Sequence, residues 1–108
     1  MSKITLRPFV NFHGRARDAV AFYRSVLGAD LADLIVGVDG HPDYPPTVGD
    51  NMALAVGGTD KARLSKIFNG LAEGGKIKMP LAKQSSGGEV GWLVDRFGIN
   101  WTVTVDKA

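Results

Sequence analysis

The chain has 108 residues, with 13 Lys and Arg against 11 Asp and Glu, no Cys, and 44% hydrophobic residues. That length suits a single domain over residues 1–108, and the apolar fraction excludes a disordered or fibrous chain. Without Cys there is no disulfide framework, no thiolate zinc site and no cysteine nucleophile. No apolar run reaches the roughly 18–20 residues of a membrane span, and the opening stretch Met1–Pro8 has no signal-peptide core. A soluble cytoplasmic protein with no membrane partner is therefore expected. The net charge of +2 is small, and the basic residues are interspersed with acids, so nucleic acid is not an expected partner.

Residues Ile4–Phe12 read as a first strand, with Leu6, Val10 and Phe12 on one face and Pro8 confining the strand to an edge. Ala16, Ala19, Val20, Tyr23, Val26 and Leu27 recur at helical spacing, which predicts an amphipathic helix ended by Gly28. Leu31–Val38 supports one further strand, and the proline-rich Gly40–Asp50 reads as a loop. Met52, Leu54 and Val56 then alternate as a strand, followed by a turn at Gly57-Gly58. Thr59 or Asp60 is placed to cap a second helix with the apolar stripe Leu64, Ile67, Phe68, Leu71 and Ala72, stopped at Gly74-Gly75. Three alternating segments close the chain: Ile77, Met79 and Leu81 on one face, then Val90, Trp92 and Val94, then Ile99, Trp101, Val103 and Val105. Asp95–Gly98 is the tight turn between the last two, so the tail is an antiparallel meander. The pattern repeats: Pro8, Val10 and Phe12 correspond to Met52, Leu54 and Val56, and Tyr23, Val26 and Leu27 to Phe68, Leu71 and Ala72. Two copies of one strand–helix–strands unit are expected, the first with room for only about one strand after its helix.

Three stretches resemble a known family: Pro8–Gly28 (PFVNFHGRARDAVAFYRSVLG), Asp39–Val56 (DGHPDYPPTVGDNMALAV) and Leu71–Val105 with its DRFG-x-N-W ending. They are similar to the PhnB-like branch of the vicinal oxygen chelate superfamily, the glyoxalase, bleomycin-resistance and extradiol-dioxygenase group. The resemblance implies an α+β fold of two βαβββ modules. Their curved mixed or antiparallel sheets form a cup, with two helices outside. Module one covers about 1–50 in shortened form, and module two about 51–108. The resemblance also implies metal-ligand positions in metal-using relatives, which fall here at Pro8, Asn51 and Thr102. A further His lies on a strand that the shortened first module lacks. Pro8 has no donor and Asn51 and Thr102 are weak ones, so no metal and no cofactor is expected. The methyltransferase-like label that the branch also carries finds no glycine-rich cofactor strand–turn–helix.

Asp39, His41 and Asp43 could approach one cation, but a proline-rich loop defines their geometry loosely, and the plain reading is a polar loop. His13 reads as a turn residue. Trp92 and Trp101 stand on adjacent strands. With Phe9 and Met79 they read either as the floor of an apolar ligand pocket or as ordinary core. Glu89, at the mouth of the meander, is the carboxylate for any acid–base catalysis, since desolvation beside indoles would raise its pKa. A solvated strand start is the alternative. Asn11, Asn51, Lys78 and Gln84 are the polar ligand-binding candidates. The expected activity is metal-independent binding of a small organic molecule. A metal-dependent lyase, isomerase or dioxygenase of the same superfamily, or a shortened variant that keeps only the fold, are the alternatives. The missing strands leave an open sheet edge, so a homodimer is expected.

Overall fold

The computed structural model describes residues 4–85 and 87–107; Met1–Lys3, part of the opening stretch read for a signal sequence, lie outside them. The chain divides into two units, Met1–Thr47 and Val48–Ala108. Among the described residues there are six strands in two sheets and three helices, an α+β arrangement. No helix of the described residues is long and apolar enough to cross a membrane.

The first unit runs β1 (Phe9–Asn11), α1 (Ala16–Leu27), α2 (Ala29–Ala32) and β2 (Val36–Val38). The strands pair in parallel, Phe9 with Val36 and Asn11 with Val38, so the helices form the crossover. Alpha-helical spacing buries Ala19, Tyr23 and Leu27 of α1, and Phe12 packs its ring on Tyr23 at 5.9 Å. Two expectations change here. The strand expected over Ile4–Phe12 pairs only at Phe9–Asn11, because the chain opposite turns through α2 and becomes extended only from Val36. Ile4 and Leu6 are left 99% and 100% exposed, while the Arg7 guanidinium donates to the carbonyls of Leu34 and Asp33. The strand expected over Leu31–Val38 is likewise helical in its first part. Ala29, Leu31 and Ala32 are good helix formers, and Ala32 N–H bonds back to Gly28 O at 3.1 Å.

The second unit is a complete βαβββ module: β3 (Leu54–Gly58), α3 (Lys61–Ala72), β4 (Lys76–Lys83), β5 (Glu89–Val94) and β6 (Asn100–Val105). The sheet order is β3-β6-β5-β4, with β3 parallel to β6 and the other pairs antiparallel. Asp60 caps α3 by accepting Arg63 N–H at 3.1 Å. The expected turn at Gly57-Gly58 is instead the paired end of β3, opposite Thr104 and Val105. Leu64, Ile67, Phe68 and Leu71 of α3 and Leu93, Trp101, Val103 and Val105 of the sheet make the buried core. Gly91 permits this packing: a Cβ there would lie 2.5 Å from Phe68 Cε1 and 3.0 Å from the Leu81 Cα.

Strand β4 departs most from simple alternation. Its partners on β5 step from Ile77↔Leu93 to Met79↔Trp92 and then to Ala82↔Val90, so two register shifts each add a residue to β4. Ile77, Met79 and Leu81 were expected on one face. The first bulge instead puts Ile77 opposite Leu93, on the α3 side, and Met79 opposite Trp92, on the other. Pro80, which cannot donate to a ladder, sits on this edge strand at the second irregularity.

Candidate functional site

Because side chains alternate, the sheet of the second unit has one face against α3 and one turned away from it. Register assigns Val90, Trp92 and Val94 of β5, Asn100, Thr102 and Thr104 of β6, and Ala55 and Gly57 of β3 to the face turned away from α3, the open face of this unit. Its centre is Trp92, half-buried, directly opposite Thr102 on one side and Met79 on the other. The bulge sets both Lys78 and Met79 beside this indole, and Lys78 Nζ lies 5.8 Å from the ring centroid. The Trp92 indole N–H donates to Asn100 Oδ1 at 3.2 Å, and buried Asn100 donates to Gly49 O at 3.2 Å. The ring is thus held at its edge by a side chain that is itself anchored.

Trp101 belongs to the other face. It pairs with Leu93, is 3% exposed and donates its indole N–H to Asp95 Oδ2 at 2.9 Å. The two indoles therefore do not floor one pocket. A four-residue turn over Asp95–Gly98 would set Val94 opposite Ile99, and Trp92 opposite Trp101. The actual closure bonds Asp95 N–H to Ile99 O at 2.9 Å and pairs Val94 with Asn100. One residue of register moves Trp101 to the core.

Glu89 is also on the α3 side, opposite Val105, and its carboxylate is 3.0 Å from Lys61 Nζ. Its neighbour is an ammonium rather than an indole, and it does not meet Thr102 on the open face. Gln84 lies beyond the end of β4, where Nε2 donates to Ala82 O at 3.2 Å and the backbone N–H to Gly88 O. Asn51 lies in the exposed stretch before β3. Phe9, 69% exposed, and Asn11 belong to the first unit. Asn11 Oδ1 accepts His13 N–H at 2.8 Å, which fixes the turn where His13 takes a positive φ of 50°. The structure thus brings Lys78, Met79 and Trp92 together and separates Trp101 and Glu89 from them.

The loop acids and His41 are engaged locally. Asp39 Oδ1 accepts Ala16 N–H at 2.8 Å, capping α1 from a distant point in the chain, and His41 Nδ1 accepts Asp43 N–H at 3.1 Å. Among the described residues no three His, Cys, Asp or Glu side chains gather as a metal-ion site would require.

Sequence reasoning missed what the Asp95–Trp101 segment does. Asp95 Oδ1 accepts the N–H groups of Phe97 and Ile99 at 2.8 and 3.1 Å, Oδ2 accepts Trp101, and Gly98 turns the chain at a φ of 82°. Arg96 reaches back to Glu73 O at 3.2 and 3.1 Å, satisfying a carbonyl at the end of α3. An Asp opening a turn that contains Gly is the signal that could have found this lock.

The model of a family described as 3-demethylubiquinone-9 3-methyltransferase matches residues 31–104, which take in β2 and all five elements of the second unit. The chain belongs to this family. Its PhnB-like members share the fold. A PhnB protein from Bacillus cereus superposes with a TM-score of 0.79 at 23% identity, over 95% of this chain and 100% of that one. Protein PA1353 from Pseudomonas aeruginosa superposes with a TM-score of 0.86 at 27% identity, over 98% of this chain and 100% of the other. A glyoxalase/bleomycin resistance protein/dioxygenase family enzyme from Burkholderia phytofirmans gives a TM-score of 0.61 at 13% identity, over 93% of this chain and 94% of that one. These likenesses establish the glyoxalase/bleomycin-resistance fold. No curated protein matches the chain.

Proposed function

We propose that this PhnB-like protein binds a small organic molecule, without a metal or cofactor, on the open face of the β3-β6-β5-β4 sheet. The observation that carries the reading is Trp92. Its indole stands on the face that α3 does not cover, with its N–H already bound to Asn100 and its ring beside Met79 and Lys78. A large, fixed aromatic surface of this kind offers contact area at little entropic cost. The strand positions of the face hold no carboxylate or imidazole, which favours sequestration over turnover, including the methyl transfer named for the family. At the positions that the resemblance assigns to metal ligands, Pro8 offers no donor, and Asn51 and Thr102 are too weak to grip a divalent ion.

Titration with small aromatic compounds is expected to give a saturable change in tryptophan fluorescence that disappears in Trp92→Phe. Calorimetric titration with nickel or zinc is expected to show no stoichiometric site. A ligand response that survives in Trp92→Phe would move the site elsewhere, and tight one-to-one metal binding would overturn the metal-independent reading.

We further propose a cytoplasmic homodimer. The outer edge of β3 has no partner in its sheet and carries no Pro or charged residue, whereas the β4 edge has Pro80, three lysines and two bulges. The full exposure of Ile4 and Leu6 points the same way. Sedimentation velocity at micromolar concentration is expected to show a dimer, and a stable monomer would overturn this part.

A further inference from the structure

The open face carries a charge asymmetry that narrows what it can hold. Lys76, opposite Val94, and Lys78, beside Trp92, are its charged strand positions, and both are on β4. Among the described residues neither takes part in an ion pair, and no strand position of the face carries an acid. By contrast Lys83 at the far end of β4 is opposite Glu89, on the α3 side. The bulge matters here. In a regular ladder Lys78 alone would face Trp92; the extra residue brings Lys78 and Met79 to the same indole. The Lys78 ammonium then lies over the ring, at a distance typical of a cation–π contact.

We infer that the ligand of this face is a planar aromatic carboxylate, a deepening that rests on the binding reading above. An exposed cation–π contact is weak and exchangeable, so an aromatic ring can take the indole face while the released ammonium turns to the ligand's anionic group. That exchange replaces a ring quadrupole with a full negative charge and forms a charge-assisted hydrogen bond. Thr102, across from Trp92 on the β6 side, adds a neutral hydroxyl-bearing side chain to the same face, on the flank away from Lys78. On β3 the small, exposed Ala55 stands beside Thr102, whereas Gly57 is covered by the Thr104 hydroxyl, close to where a Cβ would stand, so a flat ring fits between Trp92 and Ala55 better than a bulky one. A neutral ring of the same shape would stack on Trp92 but leave Lys78 without a counter-charge.

The test compares 2-naphthoate with 2-naphthamide, which have the same ring and nearly the same shape but differ in charge. The readout is the indole N–H resonance of Trp92 in ¹H–¹⁵N NMR spectra, assigned by its loss in Trp92→Phe. The buried Trp101 indole reports that the fold is intact. Both compounds are expected to shift the Trp92 resonance, with 2-naphthoate binding about tenfold more tightly. In Lys78→Met, which keeps the side chain's apolar stem, the preference is expected to fall to about twofold or less while 2-naphthamide binding is retained. Equal affinity for the two compounds in the wild-type protein would overturn the carboxylate inference and leave the binding face standing. A preference unchanged by Lys78→Met would overturn it as well, by showing that another group reads the charge. If neither compound moves the Trp92 resonance, the binding reading falls together with it.

Discussion

Asp95→Ala is expected to lower the unfolding free energy by about 3 kcal/mol, a sum of lost charge-assisted bonds and one orphaned buried donor. The carboxylate accepts hydrogen bonds from the backbone of Phe97 and Ile99 and from the Trp101 indole. Water can replace the partners of the two turn amides, which discounts their share. The Trp101 N–H is 2.9 Å from Asp95 in a residue 3% exposed, and truncation leaves it buried without that acceptor. Thermal unfolding followed by circular dichroism should show the midpoint falling by roughly 10 °C or more. Asp95→Asn should lose about half as much, because its amide oxygen still accepts the turn N–H groups while its NH₂ meets the indole donor to donor. Alanine stability within about 1 kcal/mol of wild type would mean that other contacts hold the turn.

The two tryptophans are expected to separate cleanly by mutation. Trp101→Ala should cost roughly 3–5 kcal/mol, as large-to-small changes in a packed core do. Its ring lies in the layer made by Leu93, Val103 and α3, and removing it also strips Asp95 of a donor. Trp92→Ala should cost only about 1 kcal/mol, since the ring is half-buried and solvent can reach Asn100 Oδ1 in its place. Denaturant titrations of both variants measure the difference. Comparable losses would mean that Trp92 is a core residue and would remove the main support for the binding face.

Much of the architecture is written in periodicity. The stripe Leu64, Ile67, Phe68 and Leu71 is buried as its spacing demands, Asp60 caps α3, and Gly28 ends α1. The meander from Lys76 to Val105 and the single strand after the first helix are also legible. What is not legible is register. Alternation names the two faces of a strand but not which one meets the helix, and a register one residue away from the expected one sends Trp101 inward. The bulges in β4 have no sequence mark besides Pro80, so the side of Met79 and the placement of Lys78 follow only from pairing. Position at the mouth of the meander points Glu89 towards the indoles, yet Lys61 on α3 is the group it reaches. The polar loop read at Asp39–Asp43 has a role that spacing does not show: Asp39 caps α1, 23 residues away. In each case a long-range partner, invisible to local pattern, decided the outcome.

The indoles of Trp92 and Trp101 end on different acceptors, Asn100 for one and Asp95 for the other. With the proposed binding on the Trp92 face, selection on recognition works on one ladder of alternate positions while the interleaved ladder preserves foldability. Recognition could drift between descendants that share nearly the same scaffold, and chemical specificity would be a poor guide to kinship among them.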